Sequence, residues 1–210
     1  MKRNLIAALA AAAFAALAPP AQAGNIIDEW ANVKAPPAPE LKPVTVDPKT
    51  DALLVIDMVS ETCNAKARPR CVETIPAIQK LLNEARTKGM LVIYSFARAG
   101  NNVVDALAPK SGEPIVTSGA DKFVNTDLEK MLKDKGVSTA IVVGTLANGG
   151  VLHTASEAAL RGFKVVVPVD GMSSPNENTL YTEQYTAWHL GSTPLFGGRV
   201  ALTKMDLIKF

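Results

Sequence analysis

Residues 140–150 read Ala-Ile-Val-Val-Gly-Thr-Leu-Ala-Asn-Gly-Gly, and a helical pattern follows them from Gly149 to Arg161. The four residues that open this stretch are consecutively apolar, as in a strand that is buried on both faces of a parallel sheet. Glycines then allow a turn, and Gly162 ends the helix. The stretch therefore predicts a strand–turn–helix unit of the kind that builds α/β folds.

The same alternation extends in both directions along the chain. Five further apolar runs predict strands, and three further periodic segments predict helices. The strands are expected at 53–56, 91–94, 115–116, 165–167 and 200–202, and the helices at 73–88, 126–135 and 179–190. Together these elements predict a three-layer α/β domain over residues 51–210, with a six-stranded parallel sheet and helices on both of its faces.

The N-terminal residues have the pattern of an export signal. Lys2 and Arg3 form a basic start, residues 5–17 are an uncharged apolar run, and Ala21-Gln-Ala23 is a cleavage site. The run is shorter than the roughly 20 residues of a membrane-spanning helix. We expect a bacterial signal peptide at 1–23 and a periplasmic or secreted protein. Residues 24–50 hold five prolines and are expected to form an extended arm.

Composition narrows the classes of function. The chain of 210 residues is 48% hydrophobic and 20% charged, which excludes a disordered acidic chain, a collagen repeat and a disulfide scaffold. Without Lys2 and Arg3 it holds 20 basic and 20 acidic residues, so its charge predicts neither nucleic acid nor membrane as a partner. Two cysteines and two histidines predict no metal, and we expect no other cofactor. We expect a small-molecule substrate and leave open whether the chain forms a homo-oligomer.

Ligands of parallel sheets bind beyond the carboxyl ends of the strands. Asp57 directly follows the apolar run at 53–56, where a poorly solvated carboxylate is suited to act as a general acid or base. Its alternative role is to cap the loop. Arg98 follows the run at 91–94 and is either a bidentate partner for a substrate carboxylate or a solvated loop residue.

The glycine-rich turn after the strand at 140–143 is a second candidate for substrate binding. Backbone N–H groups at a helix start attract negative charge, and the absence of side chains at Gly149 and Gly150 allows close approach. Asn148 is expected to contribute to the site and to cap the helix. The alternative is that the turn only packs tightly.

Three segments resemble the isochorismatase-like hydrolases, the cysteine hydrolase superfamily that includes nicotinamidases and N-carbamoylsarcosine amidases. They are Leu-Val-Ile-Asp-Met at 54–58, Phe-Val-Asn-Thr-Asp-Leu at 123–128 and the block at 143–155. The resemblance covers residues 51–171 and implies the same fold, a six-stranded parallel sheet flanked by helices. In most of this superfamily, an Asp takes the proton of a Cys thiol, a Lys supports the Asp, and the Cys attacks an amide carbon. Asp57 matches the family Asp.

The other two positions depart from the family pattern. The family Cys falls on Gly150, which supplies no nucleophile, and true isochorismatases similarly carry Gly there and use their Asp to protonate a vinyl ether. The family Lys falls on or near Thr117, and the closest lysine is Lys122. Lys122 either reaches the site by a different loop path or lies on the surface beside Asp121 or Asp127. The metal ligands of nicotinamidases have no counterpart at 95–102.

Two cysteines follow Asp57 closely. In an oxidising compartment, Cys63 and Cys71 are expected to form a disulfide that pins this loop over the site. The alternative makes Cys63 a relocated nucleophile. Basic residues between the cysteines would steer anions toward the site, namely Lys66, Arg68 and Arg70.

The leading hypothesis is an exported isochorismatase-like hydrolase of a small polar, anionic molecule. Asp57 would be its general acid or base, with Lys122 as charge partner and no Cys nucleophile at position 150. One alternative is a binding protein that keeps the pocket without catalysis. Another is a thiol hydrolase that uses Cys63.

Overall fold

The structure is a computed structural model that describes residues 24–175 and 179–210. The signal peptide expected at 1–23 lies outside the described residues. The chain divides into two compact units, the first ending at Pro36 and the second running from Pro37 to Phe210. In the first unit, residues 24–36 include a 3-10 turn at Trp30–Asn32, and all of these side chains are exposed.

The second unit is built on a parallel sheet whose main strands coincide with the six apolar runs of the sequence. Its strands are β1 (Val44–Thr45), β2 (Asp51–Ile56), β3 (Leu91–Phe96), β4 (Ile115–Thr117), β5 (Thr139–Thr145), β6 (Lys164–Pro168), β7 (Met172–Ser173), β8 (Val200–Thr203) and β9 (Ile208–Lys209). The main sheet has the order β4-β3-β2-β5-β6-β8, and the short β7 pairs with β5. The strands β1 and β9 form a separate parallel pair.

The direction of the strand order reverses between β2 and β5. The chain adds β3 and β4 on one side of β2, and then returns to place β5, β6 and β8 on the other side. Ile56 lies opposite Gly144 in the register, so the two central strands end at the same level. The crevice beyond such a reversal is where ligands of open α/β sheets bind.

Helices cover both faces of the sheet, which confirms the predicted three-layer fold. They are α1 (Pro69–Thr87), α2 (Leu128–Asp134), α3 (Leu152–Leu160) and α4 (Thr179–Ser192). Alternate residues of β2 enter two cores: Leu54 and Ile56 join residues of α2, α3 and α4, while Leu53 and Val55 join residues of α1. This double burial explains why the strand is apolar without alternation.

Three boundaries differ from the sequence expectations. Helix α1 starts at Pro69, four residues before Glu73, because proline is readily accepted in the first turn. Helix α3 starts at Leu152 rather than Gly149, because a π-helical turn at Ala147–Val151 precedes it. Within residues 24–50, β1 pairs with β9 and Val46 is buried, so this part of the expected arm belongs to the second unit.

Candidate active site

Asp57 is the first residue after β2, at the point where the strand order reverses. Its φ of 49° lies in the left-handed region that few residues other than glycine adopt. The Oδ1 atom accepts a hydrogen bond of 2.8 Å from the Ser95 hydroxyl, and Oδ2 accepts one of 2.8 Å from the Lys122 ammonium. The side chain of Asp57 remains 13% exposed. The carboxylate is thus held in one orientation while solvent still reaches it.

Lys122 is completely buried at this site, so the loop path that the sequence left open does bring it to Asp57. Its ammonium also donates to the carbonyl oxygens of Ser118, at 3.0 Å, and Gly119, at 2.6 Å. Its backbone N–H donates to the Thr154 hydroxyl of α3 at 3.3 Å. The three protons of the ammonium therefore have three acceptors, and Lys122 has no capacity left for a further partner.

Two glycines let the turn after β5 approach β2 closely. Gly144 has a φ of 124°, and a Cβ atom there would lie 2.0 Å from the Ile56 carbonyl oxygen. A Cβ atom at Gly150 would lie 2.6 Å from Cγ2 of Ile56 and 3.5 Å from Oδ2 of Asp57. Position 150 therefore faces the carboxylate, and a side chain fits there only if Ile56 moves.

A disulfide joins Cys63 to Cys71, with a Cα–Cα distance of 5.3 Å, which confirms the expected pairing. It ties the loop after Asp57 to the first turn of α1. Both residues are buried, and neither has a thiol while the bond is intact. The hypothesis that Cys63 is a nucleophile is therefore incompatible with this structure.

A second tie connects the same loop region to α4. Arg70, in the first turn of α1, donates to both carboxylate oxygens of the buried Glu183. This hydrogen bonding raises the pKa of Arg70. Glu183 also accepts the backbone N–H of Ser174 at 3.2 Å, so the loop, α4 and the segment after β7 are joined.

Arg68 is the half-buried arginine inside the disulfide loop. Its Nη1 atom donates to the hydroxyl of Thr62 at 3.1 Å and to that of Thr145 at 3.5 Å. Burial lowers the pKa of the guanidinium, and attraction by the Asp57 charge acts in the opposite direction. Arg68 therefore lies within electrostatic reach of the candidate catalytic carboxylate.

The structure does not bring every expected residue to the site. Arg98 is exposed in the loop after β3 and makes no hydrogen bond or ion pair with residues 24–175 or 179–210. Asn148 is exposed, and no side chain caps the π-helical turn or α3, so the expectation that Asn148 caps a helix is wrong. Gly149 is half-buried and Gly150 is buried in the turn beside Asp57.

Ser95 is a site residue that the sequence reasoning did not single out. In the register of β2 and β3, Ser95 lies opposite Ile56. Ile56 is the residue directly before Asp57. The available signal was the place of Ser95 directly after the apolar run at 91–94. A polar residue at the end of one strand meets the residues at the end of the neighbouring parallel strand.

A cavity lies at the opposite edge of the sheet, away from Asp57. It has a volume of about 520 Å³ and is lined by residues at the starts of the central strands, including Asp51, Leu91 and Val137. A void behind Lys122 has no space for a water molecule.

Over residues 24–175 and 179–210, no group of three His, Cys, Asp or Glu side chains is placed to hold a metal ion. None of the helices in those ranges is long and apolar enough to span a membrane.

A family model for the isochorismatase domain matches residues 51–190. The chain belongs to the isochorismatase family. This membership confirms the resemblance carried by the segments at 54–58, 123–128 and 143–155.

Relatives agree with the family assignment. The N-carbamoylsarcosine amidase of Arthrobacter sp is 29% identical over 45% of this chain and 47% of the amidase, so the match spans about half of that protein. A secreted isochorismatase effector of Verticillium dahliae is 27% identical over 62% of this chain and 76% of the effector. The crystal structure of an isochorismatase-like hydrolase from Alkaliphilus metalliredigens superimposes with a TM-score of 0.66 and 26% identity, covering 75% of this chain and 95% of that one.

Proposed function

We propose that this member of the isochorismatase family hydrolyses a small polar, anionic molecule, with Asp57 as general acid and base and without a cysteine nucleophile. The observation that carries the proposal is the ion pair between Lys122 and Asp57, with 2.8 Å between Nζ and Oδ2, beside a position that has no side chain. Gly150 supplies no thiol to this position, so the proposal assigns the proton transfers to Asp57 alone.

The residues at the site support a reaction in which a proton cycles through Asp57. The ionised carboxylate accepts a proton from water while the water oxygen bonds to the scissile carbon. Asp57 then returns this proton to the leaving atom as the bond between that atom and the carbon breaks, which restores the carboxylate. Lys122 stabilises the carboxylate charge, and the Ser95 hydroxyl fixes its orientation. The backbone of Gly149 and Gly150 contacts the substrate.

The decisive experiment is a hydrolysis screen with the mature protein and its Asp57→Asn variant. The panel pairs amides and esters that carry a carboxylate with uncharged counterparts. We expect Asp57→Asn to lower kcat/KM by about 100- to 10 000-fold, because it removes the proton carrier. Asp127→Asn is the matched control, since Asp127 is exposed at the start of α2 and its side chain caps nothing.

Two outcomes would sink the proposal. Turnover that survives in Asp57→Asn would show that another group moves the proton. Binding of panel compounds without any turnover in the wild type would favour the non-catalytic binding protein, whose support is the loss of the family nucleophile at Gly150.

We also propose that residues 1–23 are a signal peptide and that the mature protein works in the bacterial periplasm or outside the cell. The disulfide between Cys63 and Cys71 supports export, since such bonds persist in oxidising compartments. Mass spectrometry of the protein from a bacterial host should find Gly24 as the mature N-terminus. Recovery of the intact N-terminus from the cytoplasm alone would contradict export.

A further inference from the structure

We propose that Arg68 binds the anionic group of the substrate and that the disulfide loop thereby determines specificity. Arg68 would take the place that the sequence assigned to Arg98. The identity of the bound group as part of a substrate rests on the function proposed above, but the binding itself is measurable without turnover.

The guanidinium of Arg68 has a free recognition edge. Arg70, Arg86 and Arg161 each pair with a carboxylate, whereas both hydrogen bonds of Arg68 leave from Nη1 and go to hydroxyls. Its Nε and Nη2 protons have no hydrogen-bond partner among residues 24–175 and 179–210. These are the protons with which arginine holds a carboxylate in two parallel hydrogen bonds.

The location of this edge fits a substrate bound at Asp57. Thr145, which contacts Arg68, ends β5, and its carbonyl oxygen lies 3.3 Å from the Cβ position of Gly150. The Thr145 hydroxyl donates to the Ser173 carbonyl at 3.1 Å and so accepts from Arg68. An anionic group on Arg68 would therefore lie beside position 150, on the same edge of the sheet as the carboxylate.

Two hydroxyls of the segment that pairs with the end of β5 lack partners. The hydroxyls of Ser173 and Ser174 are buried and have no hydrogen-bond partner among the described residues. A buried hydroxyl without a partner is unfavourable, and an anion with several acceptor oxygens offers one. Ser173 is also the residue whose carbonyl accepts from Thr145, the residue that contacts Arg68.

The start of α1 adds to the same preference. Arg68 immediately precedes this helix, whose first turn contains no acidic residue. A helix N-terminus carries partial positive charge, so a cation there is unfavourable for the helix, whereas a bound anion is favourable. The disulfide holds Arg68 in this position from both sides, through Cys63 before it and Cys71 after it.

The test uses succinate as the probe and its uncharged diamide, succinamide, as the comparison at constant ionic strength. Binding is followed by NMR of the arginine Nε–H signals, and the Arg68 signal is assigned from its absence in Arg68→Gln. We expect the wild type to bind succinate more tightly than succinamide. Arg68→Gln should weaken succinate binding by about 10- to 100-fold, as expected for a charged hydrogen-bonded pair. Arg68→Lys should fall between the two, because lysine keeps the charge without the fork.

Lys66→Gln is the matched control, since Lys66 is exposed on the same loop and its loss changes the charge equally. An equal weakening by Lys66→Gln would indicate general steering and would overturn the proposal. Absence of succinate binding at millimolar concentration, or equal binding of the diamide, would also overturn it. Circular dichroism of each variant verifies that the fold is kept.

The Asp57→Asn variant separates this inference from the proposed function. It should keep or strengthen succinate binding, because it removes a negative charge near Arg68, while turnover is lost. If turnover survives in Asp57→Asn but succinate binding still depends on Arg68, the proposed mechanism fails and the anion site stands. If Asp57→Asn abolishes turnover but Arg68→Gln changes neither KM nor succinate binding, the proposed mechanism stands and the anion site at Arg68 fails.

Discussion

Two ion pairs that are largely buried, Arg86 with Glu113 and Lys122 with Asp57, differ in whether one partner remains accessible to a ligand. Arg86 and Glu113 join α1 to the segment before β4 through hydrogen bonds of 2.8 and 2.7 Å. Lys122 and Asp57 join a loop to the end of β2 through one hydrogen bond of 2.8 Å. Both pairs tie distant parts of the chain together, yet only the second lies where the strand order reverses.

In the pair of Arg86 and Glu113, both side chains make further hydrogen bonds within the protein. Arg86 also donates to the Tyr94 hydroxyl and to the Ala108 carbonyl, each at 2.9 Å. Burial alone would raise the pKa of Glu113, but the hydrogen bonds from Arg86 and from the Lys110 backbone lower it overall. The hydrogen bonds that Arg86 donates through Nε and Nη2 all go to groups within the protein, so the pair ties α1 to the segment before β4.

In the pair of Lys122 and Asp57, only the lysine has all its hydrogen-bonding groups occupied by the protein. Lys122 has all its protons engaged and is fully buried, while Asp57 keeps 13% exposure and faces position 150. A buried ion pair stabilises structure where both partners are saturated. It becomes available for chemistry where the protein fixes one partner and leaves the other accessible.

Lys122→Met is the strongest way to break this comparison. It leaves the Asp57 charge without a partner and removes the donor to two carbonyl oxygens. We expect the free energy of unfolding, measured in urea, to fall by about 4 kcal/mol. The double variant with Asp57→Asn should recover part of the loss, because the uncompensated charge is gone. A single variant as stable as the wild type would show that the pair is not buried in solution.

Arg86→Met should destabilise the fold by about 3 kcal/mol, since it strips Glu113 of its partner. Turnover per folded molecule should stay within about twofold of the wild type, because this network does not reach the site. If Arg86→Met instead lowered turnover as strongly as Asp57→Asn does, the division between a structural and a chemical ion pair would be wrong.

Gly150→Ala sharpens the comparison at the position beside Asp57. The added Cβ meets Cγ2 of Ile56 at 2.6 Å, so we expect a loss of about 2 kcal/mol in urea unfolding. Ile56→Leu removes that methyl branch and should restore most of the stability in the double variant. Gly119→Ala is the control, since its new methyl meets open space. Purely additive effects of the two substitutions would contradict the contact.

The smallest expected change in stability comes from Tyr94, whose hydroxyl accepts a hydrogen bond from Arg86 of the pair with Glu113. Burial raises the pKa of Tyr94 from 10.0 to about 12, and Arg86 acts against this rise. The unfolded chain therefore loses this proton first, so the contribution of Tyr94 is complete below pH 10 and is lost as the pH rises through about 12. Tyr94→Phe should cost about 1 kcal/mol at pH 8, because the Leu107 carbonyl loses its donor.

The measurement for Tyr94 is thermal unfolding at a series of pH values, with phenolate absorbance recorded in parallel. Tyr94→Phe should flatten the alkaline loss of stability that the wild type shows. An identical alkaline profile in the variant would mean that other groups account for it.

The sequence was sufficient wherever a feature depends on local pattern. The runs at 53–56 and 140–143 predicted the two central strands because residues buried on both faces must be apolar. Asp57 was found from its position directly after the run at 53–56, and Gly150 from the glycine-rich turn and the family resemblance. The pairing of Cys63 with Cys71 followed from their spacing and the expected compartment.

Features that depend on long-range packing were missed or left open. The placement of Lys122 required the path of its own loop, which supplies two of its three acceptors, and the position of Asp57 at the end of β2. Asn148 was expected to cap a helix, but the turn at 147–151 is π-helical and Gly149 leaves helical geometry, with φ of −116° and ψ of −105°. Ser95 begins a segment that was expected near the site, but its own role was not predicted because that role depends on the strand beside it.

The sequence by itself determined the order and type of the elements and the position of Asp57 at a strand end. These features follow from side-chain chemistry and from periodicities of a few residues. Only the tertiary structure decided that Lys122 pairs with Asp57 and that the Ser95 hydroxyl donates to the same carboxylate. It also decided that Arg68, rather than Arg98, lies within electrostatic reach of Asp57. Parallel register and loop closure join residues tens of positions apart, and no local pattern encodes which donor will meet a given carboxylate.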